Sequence, residues 1–177
     1  MSIQLGFYKI YNDVILPEFA TDGSACFDIY SYLKFNDIKM FDDFNNEIKI
    51  DDLKKLFYQG DDKIVLHVPP RHRVLVSTGL IADIPKEHSI RLHARSGIAL
   101  KRGLGLANSE GVIDSDYIDP IGIIIYNMTR TFVPIYHKER LVQGELIKSQ
   151  SFNINEIYEK PIQKSVRNGG FGSTGTN

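Results

Sequence analysis

N-S-E-G-V-I-D-S-D-Y, Asn108 to Tyr117, is a polar turn set in an otherwise apolar run. Leu104, Leu106, Val112 and Ile113 lie before or inside it, and Ile121 to Tyr126 follow. Apolar residues so placed predict two buried strands, with the polar residues at a hairpin tip or pocket rim. Asp114 follows Val112-Ile113 and so stands against an apolar wall, where a carboxylate can be held as a base toward a bound water. The same acids also suit an ordinary turn, which Asp favours for its own backbone hydrogen bonding. Alone, the stretch leaves both readings open.

Outward from it, the chain reads as short strands. Gln4 to Ile10, Arg73 to Ser77, Ser89 to Leu92, Ile121 to Tyr126, Thr131 to Ile135 and Arg140 to Lys148 carry β-branched and aromatic residues between turn signals. Val74 to Leu80 followed by Ile84-Pro85 predicts strand, turn, strand. Helical periodicity is nearly absent. Many short strands at this spacing predict an all-β sandwich or jelly roll.

Composition narrows the function classes. At 177 residues the chain fits a single domain, 1–177, with a sizeable core. A formal net charge of -1 gives no global basic field to attract nucleic acid. One cysteine, Cys26, excludes an internal disulfide and fits a reducing compartment. No apolar run approaches the roughly 20 residues a membrane helix needs, and the N-terminus does not read as a signal peptide. A soluble cytoplasmic protein is expected, in the host cytoplasm if the Asn-, Asp-, Ile- and Lys-rich composition marks a viral genome.

Two segments depart from the strand pattern. Residues 33–66 are charge-dense and aromatic-rich, and read as an insertion too short for a core of its own. A helix is expected there, capped by Asp51 or Asp52, with Leu53, Leu56 and Phe57 on its apolar face and Gly60 as its stop. The insertion is either a solvated excursion packed on the parent domain or a surface for a protein partner. The arm 165–177 contains R-N-G-G-F-G-S-T-G-T-N from Arg167, too polar and glycine-rich to pack. It is either a frayed tail or a phosphate- and base-binding strap, since open backbone N–H groups cradle phosphate and Phe171 can stack on a base.

Further groups carry chemistry. Arg95-Ser96-Gly97 offers a guanidinium fork, a hydroxyl and an unobstructed N–H, which suit phosphate oxygens. Asp28 lies between apolar neighbours in Pro17 to Ser31, where it can orient a metal-bound water or satisfy a buried turn. Arg140 and Gln143, three apart on one strand, are expected on opposite faces. None of His67, His72, His88, His93 and His137 has a spacing typical of a metal site, His93 reads as a strand-surface residue, and Cys26 reads as packing.

Five segments, in order, resemble the five motifs of the trimeric all-β dUTP diphosphatases (dUTPases). They are 17–31, Arg95-Ser96-Gly97, 108–117, Arg140 to Gln143 and Gly169 to Gly175. Cys26 replaces the family's usual glycine, and Ile118-Asp119-Pro120 replaces Arg-Gly-Glu. Asp119 is expected to take the positive φ of that glycine, and Pro120 to alter the strand edge. Arg167 lies one residue closer to Phe171 than in the common pattern.

The resemblance implies a distorted jelly-roll or β-barrel subunit, a homotrimer with sites shared between chains, and hydrolysis of dUTP to dUMP and pyrophosphate with Mg²⁺. It makes Asp114 the carboxylate that activates water. Arg95, Ser96, Gly97 and Gln143 would hold phosphates. Asn108, the backbone of Val112, Ile113 and Asp114, and the strand near Gly122 would read uracil. Tyr117 would pack on the deoxyribose. Phe171 would cover the base, while Arg167, Gly172, Ser173 and Thr174 close over the phosphates. Asp28 would touch Mg²⁺ only through water, the triphosphate holding the ion. Two alternatives are a dCTP deaminase-like enzyme of the same fold, for which Glu110 is the nearest base, and a dUTPase-derived regulatory protein that binds a partner.

Overall fold

The computed structural model describes residues 3–166, so Arg167, Phe171, Gly172, Ser173 and Thr174 lie outside the described residues. Among these residues, fourteen strands run along the chain. They are β1 (Gly6–Lys9), β2 (Glu18–Phe19), β3 (Phe27–Tyr30), β4 (Lys39–Phe41), β5 (Phe57–Gln59), β6 (Ile64–Val68) and β7 (Arg73–Ser77), followed by β8 (Leu80–Asp83), β9 (His88–Ala94), β10 (Leu104–Leu106), β11 (Gly111–Asp114), β12 (Gly122–Asn127), β13 (Val133–Tyr136) and β14 (Arg140–Lys148). Among the same residues, two short α-helices, α1 (Ile50–Leu56) and α2 (Ser96–Arg102), and one 3-10 turn, Phe35–Asp37, interrupt them. This is an all-β jelly roll.

Two sheets position the site. One has the order β11-β9-β14-β3-β2 and the other β10-β12-β7-β4. Two smaller sheets among the described residues have the orders β13-β6-β5 and β1-β8. Alternation explains the packing: Val74 and Val76 of β7 are buried and sit opposite Ile125 and Ile123 of β12. They meet Ile90, Leu92, Leu141 and Val142 in one core. Each such side chain contributes about 1.5–3 kcal/mol when taken out of water. Between β7 and β8, Gly79 takes φ +69, where an added Cβ would meet Val14 at 2.7 Å.

Segment 33–66 is woven into this core rather than laid on it. β4 pairs with β7 and β5 with β6. Leu33, Ile38, Met40 and Leu53 are buried. The expected helix is present, but neither Asp51 nor Asp52 caps it. Both lie in its first turn and pair with Lys54 and Lys55. Phe57 leaves the helix to open β5 opposite Leu66, so cross-strand pairing ends the helix before Gly60, whose N–H donates to Lys63 O in the next turn.

Candidate active site

Asp28 on β3 is 2% exposed. Its Oδ2 accepts a hydrogen bond from Arg140 Nη1 at 3.3 Å. Its Oδ1 lies 3.1 Å from Arg95 Nε but accepts no well-directed hydrogen bond. Arg95 Nη1 donates in turn to Arg140 O at 2.9 Å. Arg95 stands at the mouth of α2, where its own carbonyl accepts from the Ile98 and Ala99 N–H groups and those of Ser96 and Gly97 have no intrahelical acceptor. An added Cβ on Gly97 would meet nothing within 4 Å, so the approach to that backbone is open.

Gln143 sits directly opposite Asp28, and Arg140 opposite Tyr30, in the β14–β3 pairing. Asp28 and Tyr30 are two apart and share a face, so Arg140 and Gln143 share it too. The expectation of opposite faces fails because the register shifts between Arg140 and Val142, a bulge that inserts one residue. Beside them, burial and a hydrogen bond to Glu18 push the Tyr30 phenol up to about 12. A hydrated Mg²⁺ fits this cluster only indirectly. Asp28 Oδ1 accepts no hydrogen bond and so keeps acceptor capacity for a metal-bound water, but both its oxygens are buried and face guanidinium groups, which argues against direct ligation.

The opening stretch is not one hairpin. Leu104 to Leu106 pair with β12, and Ala107 N–H still donates to Ile124 O at 2.9 Å. Gly111 to Asp114 then pair with β9 in the other sheet. The chain changes sheets at Asn108 to Glu110, with Ser109 at φ 62. Among the described residues, no strand pairs with the Gly122 end of β12 on its β10 side past Ile124, and β11 is itself an edge strand. A wedge with backbone donors and acceptors on two sides results.

Ile113 is buried, whereas Val112 and Asp114 are exposed, so the apolar wall expected beside Asp114 is one-sided. Tyr117 N–H donates to Asp114 O at 3.1 Å, and Tyr117 Oη donates to Pro120 O at 3.3 Å. Tyr117, Pro120, Ile121 and Gly122 line a cavity of about 350 Å³. Asp119 does not take a positive φ, and Pro120 lies before β12 rather than in its ladder. Glu110 is held by Arg91 at 3.2 Å rather than aimed into the wedge.

The sites so built lie apart. Asp114 is opposite Ser89, at one end of β9, while Arg95 follows its other end. Six residues of strand separate those positions by about 20 Å. One chain therefore brings Asp28, Arg95, Arg140 and Gln143 together, and separately Asp114, Tyr117 and Gly122, with Asn108 beyond the far end of β11 from Asp114, but does not join the two groups.

Fold and site define an all-β jelly-roll protein with an arginine–carboxylate cluster at one rim and an acidic, edge-stranded wedge at the other. The dUTPase family model matches residues 63–175, and the chain belongs to that family. It is 31% identical over 168 residues, covering 94% of each chain, to the deoxyuridine 5'-triphosphate nucleotidohydrolase of Hydrogenobaculum sp.. It is 33% identical to the same-named protein of Picosynechococcus sp., over 70% of this chain and 91% of that one. Among solved structures, the Streptococcus mutans dUTPase superposes with TM-score 0.60 at 25% identity, covering 84% of this chain and 98% of that one. The Staphylococcus bacteriophage 80alpha dUTPase with dUPNHPP reaches TM-score 0.68 at 18% identity, covering 97% and 98% of the two chains, a likeness of fold.

Proposed function

We propose that the protein hydrolyses dUTP to dUMP and pyrophosphate in sites assembled between chains of a homotrimer. The carrying observation is the roughly 20 Å between Asp114 and Arg95 along β9. Neither group suffices alone, and juxtaposing copies of the chain supplies both at once. Leu100, Val112, Ile118 and Phe132 are large apolar side chains left exposed on one copy, consistent with further burial.

In this mechanism Asp114 takes a proton from water as the water oxygen attacks the α-phosphorus. The bond to the bridging oxygen breaks and pyrophosphate leaves. Arg95, Ser96, Gly97 and Gln143 orient the phosphates, where positioning and electrostatics supply most of the rate. When bound, Mg²⁺ would offset charge on the triphosphate, and Asp28 would hold it only through a water. The wedge between β11 and β12, with Asn108, reads uracil by backbone pairing with Val112, Ile113, Asp114 and the strand near Gly122. A thymine methyl would clash there, and a cytosine amino group would leave buried groups unpaired. Tyr117 packs on the deoxyribose. Arg167, Phe171, Gly172, Ser173 and Thr174 are assigned to a strap over base and phosphates. Segment 33–66 is taken as an insertion built into the same domain, and the reaction is placed in the cytoplasm, where its nucleotide pool lies.

The test is pyrophosphate release from each dNTP with Mg²⁺. Turnover of dUTP alone is expected, lost in Asp114→Asn with the oligomer intact. Full activity of Asp114→Asn, or ammonia release from dCTP instead, overturns the assignment.

A further inference from the structure

On the outer face of the five-stranded sheet, three neighbouring strands bring different metal-binding chemistries to one point. Cys26 immediately precedes β3, His93 lies on β9 and Glu145 on the β14 strand between them. One ligand atom from each lies within 4.8 Å of the others, and all three side chains are half-buried. His93 Nε2 is 3.2 Å from Glu145 Oε2. The other ring nitrogen, Nδ1, is 3.7 Å from Glu110 Oε1. Arg91 holds the second Glu110 oxygen at 3.2 Å.

This is how a ligating histidine is usually supported. One nitrogen faces the metal position, and a carboxylate beside the other favours the ring orientation and raises basicity; here Glu110 stands at ion-pair distance and a small shift brings it into hydrogen-bond reach. Thiolate, imidazole and carboxylate together carry two negative charges, which a divalent cation neutralises. Three protein ligands leave a fourth tetrahedral position for water. The sulfur sets selectivity: Mg²⁺ prefers oxygen ligands and keeps its waters, while Zn²⁺ and Co²⁺ accept sulfur. The cluster is distinct from the Asp28 carboxylate, which is committed to Arg95 and Arg140.

We propose that Cys26, His93 and Glu145 form a binding site for a thiophilic divalent cation of the Zn²⁺ class, with Glu110 as its outer support. The sequence conceals such a site, because its residues come from three distant segments that only sheet pairing aligns.

The experiment uses the assembled protein, stripped with chelator and titrated with Co²⁺ as a spectroscopic probe. Thiolate-to-cobalt charge transfer and tetrahedral visible bands are expected, saturating at one ion per chain. Zn²⁺ should bleach them, and a large excess of Mg²⁺ should leave them unchanged. In Cys26→Ser the charge-transfer band should vanish. His93→Gln should weaken binding at least about 10-fold, and Glu110→Gln, which keeps all three ligands, should weaken it less. Zinc should raise the thermal midpoint of the parent protein but not of Cys26→Ser, whose fold is checked by its circular dichroism. Absence of cobalt bands in the parent overturns the site, as does an unchanged spectrum in folded Cys26→Ser.

Discussion

The two ends of β9 make opposite uses of charge. At the Arg95 end, a buried carboxylate is locked between two guanidinium groups, so the cluster orders this part of the chain before any ligand arrives. At the Ser89 end, Asp114 is exposed on an edge strand. On the proposed roles, a group that takes a proton from a bound water gains from being uncommitted, whereas a phosphate-binding arginine gains from being pre-positioned. The first rim is held by its own ion pairs, and the second waits for a ligand or a neighbouring chain to complete it.

The strongest challenge to that contrast is complementation. Arg95→Ala and Asp114→Asn should each cut turnover by roughly 10²–10⁴-fold. Co-assembled from equal amounts of the two inactive chains, about a quarter of the sites should contain both intact groups, because a closed symmetric oligomer mixes them at random. A steady-state dUTP assay on the mixture reads this directly, and no recovery would place the whole site in one chain.

Stability should separate the rims next. Asp28→Asn leaves two guanidinium groups without their buried partner. With Arg140 half-exposed, the cost is about 2 kcal/mol rather than the larger penalty of a fully buried pair. That is a fall of about 4–8 °C in Tm for a chain of this size. Asp114→Asn should leave Tm within about 1 °C, since exposed substitutions rarely matter. Equal shifts by calorimetry would erase the distinction.

A smaller effect is expected inside the wedge. A Cβ at Gly122 would stand 2.7 Å from Leu75 Cδ1, the far end of a side chain that can turn away. Gly122→Ala should therefore fold, narrow the space beside Tyr117 and raise the KM for dUTP by roughly 10-fold with little change in kcat. A kcat loss at unchanged KM would move Gly122 out of base binding.

The mildest effect lies away from both rims. His137 Nδ1 accepts the Leu33 N–H at 3.0 Å, and burial lowers its pKa below the ordinary 6.5. The unfolded chain takes up the proton first, so this contribution is complete above pH 6.5, declines as pH falls below it, and levels off past the folded-state pKa. His137→Gln should flatten that acid limb in denaturant titrations across pH, and an unchanged limb would remove His137 as its source.

Much of the fold is legible in the chain because β-branched alternation is a local property. Arg73–Ser77 and Arg140–Lys148 appear as strands with the bounds expected, and Ile121 to Tyr126 is displaced by one residue. The misplacements share a cause. Phe57 continues a helical pattern but pairs with Leu66. Arg140 and Gln143 alternate in the sequence, yet a bulge turns them to one face. Asn108 to Glu110 looks like a hairpin tip, but strands from two sheets claim the residues on either side. Each is a long-range pairing overriding a local period, and no window of sequence contains both partners.

By itself, the sequence determined the residue chemistry and its order: five motif-like segments, an all-β pattern and Asp114 as the candidate base. Tertiary structure alone decided that Asp28 is clasped by Arg95 and Arg140, that Cys26 meets His93 and Glu145, and that the two halves of the site stand at opposite ends of β9. Side-chain chemistry is written residue by residue, whereas distance between segments is set by strand register and sheet order, which arise only when the chain packs.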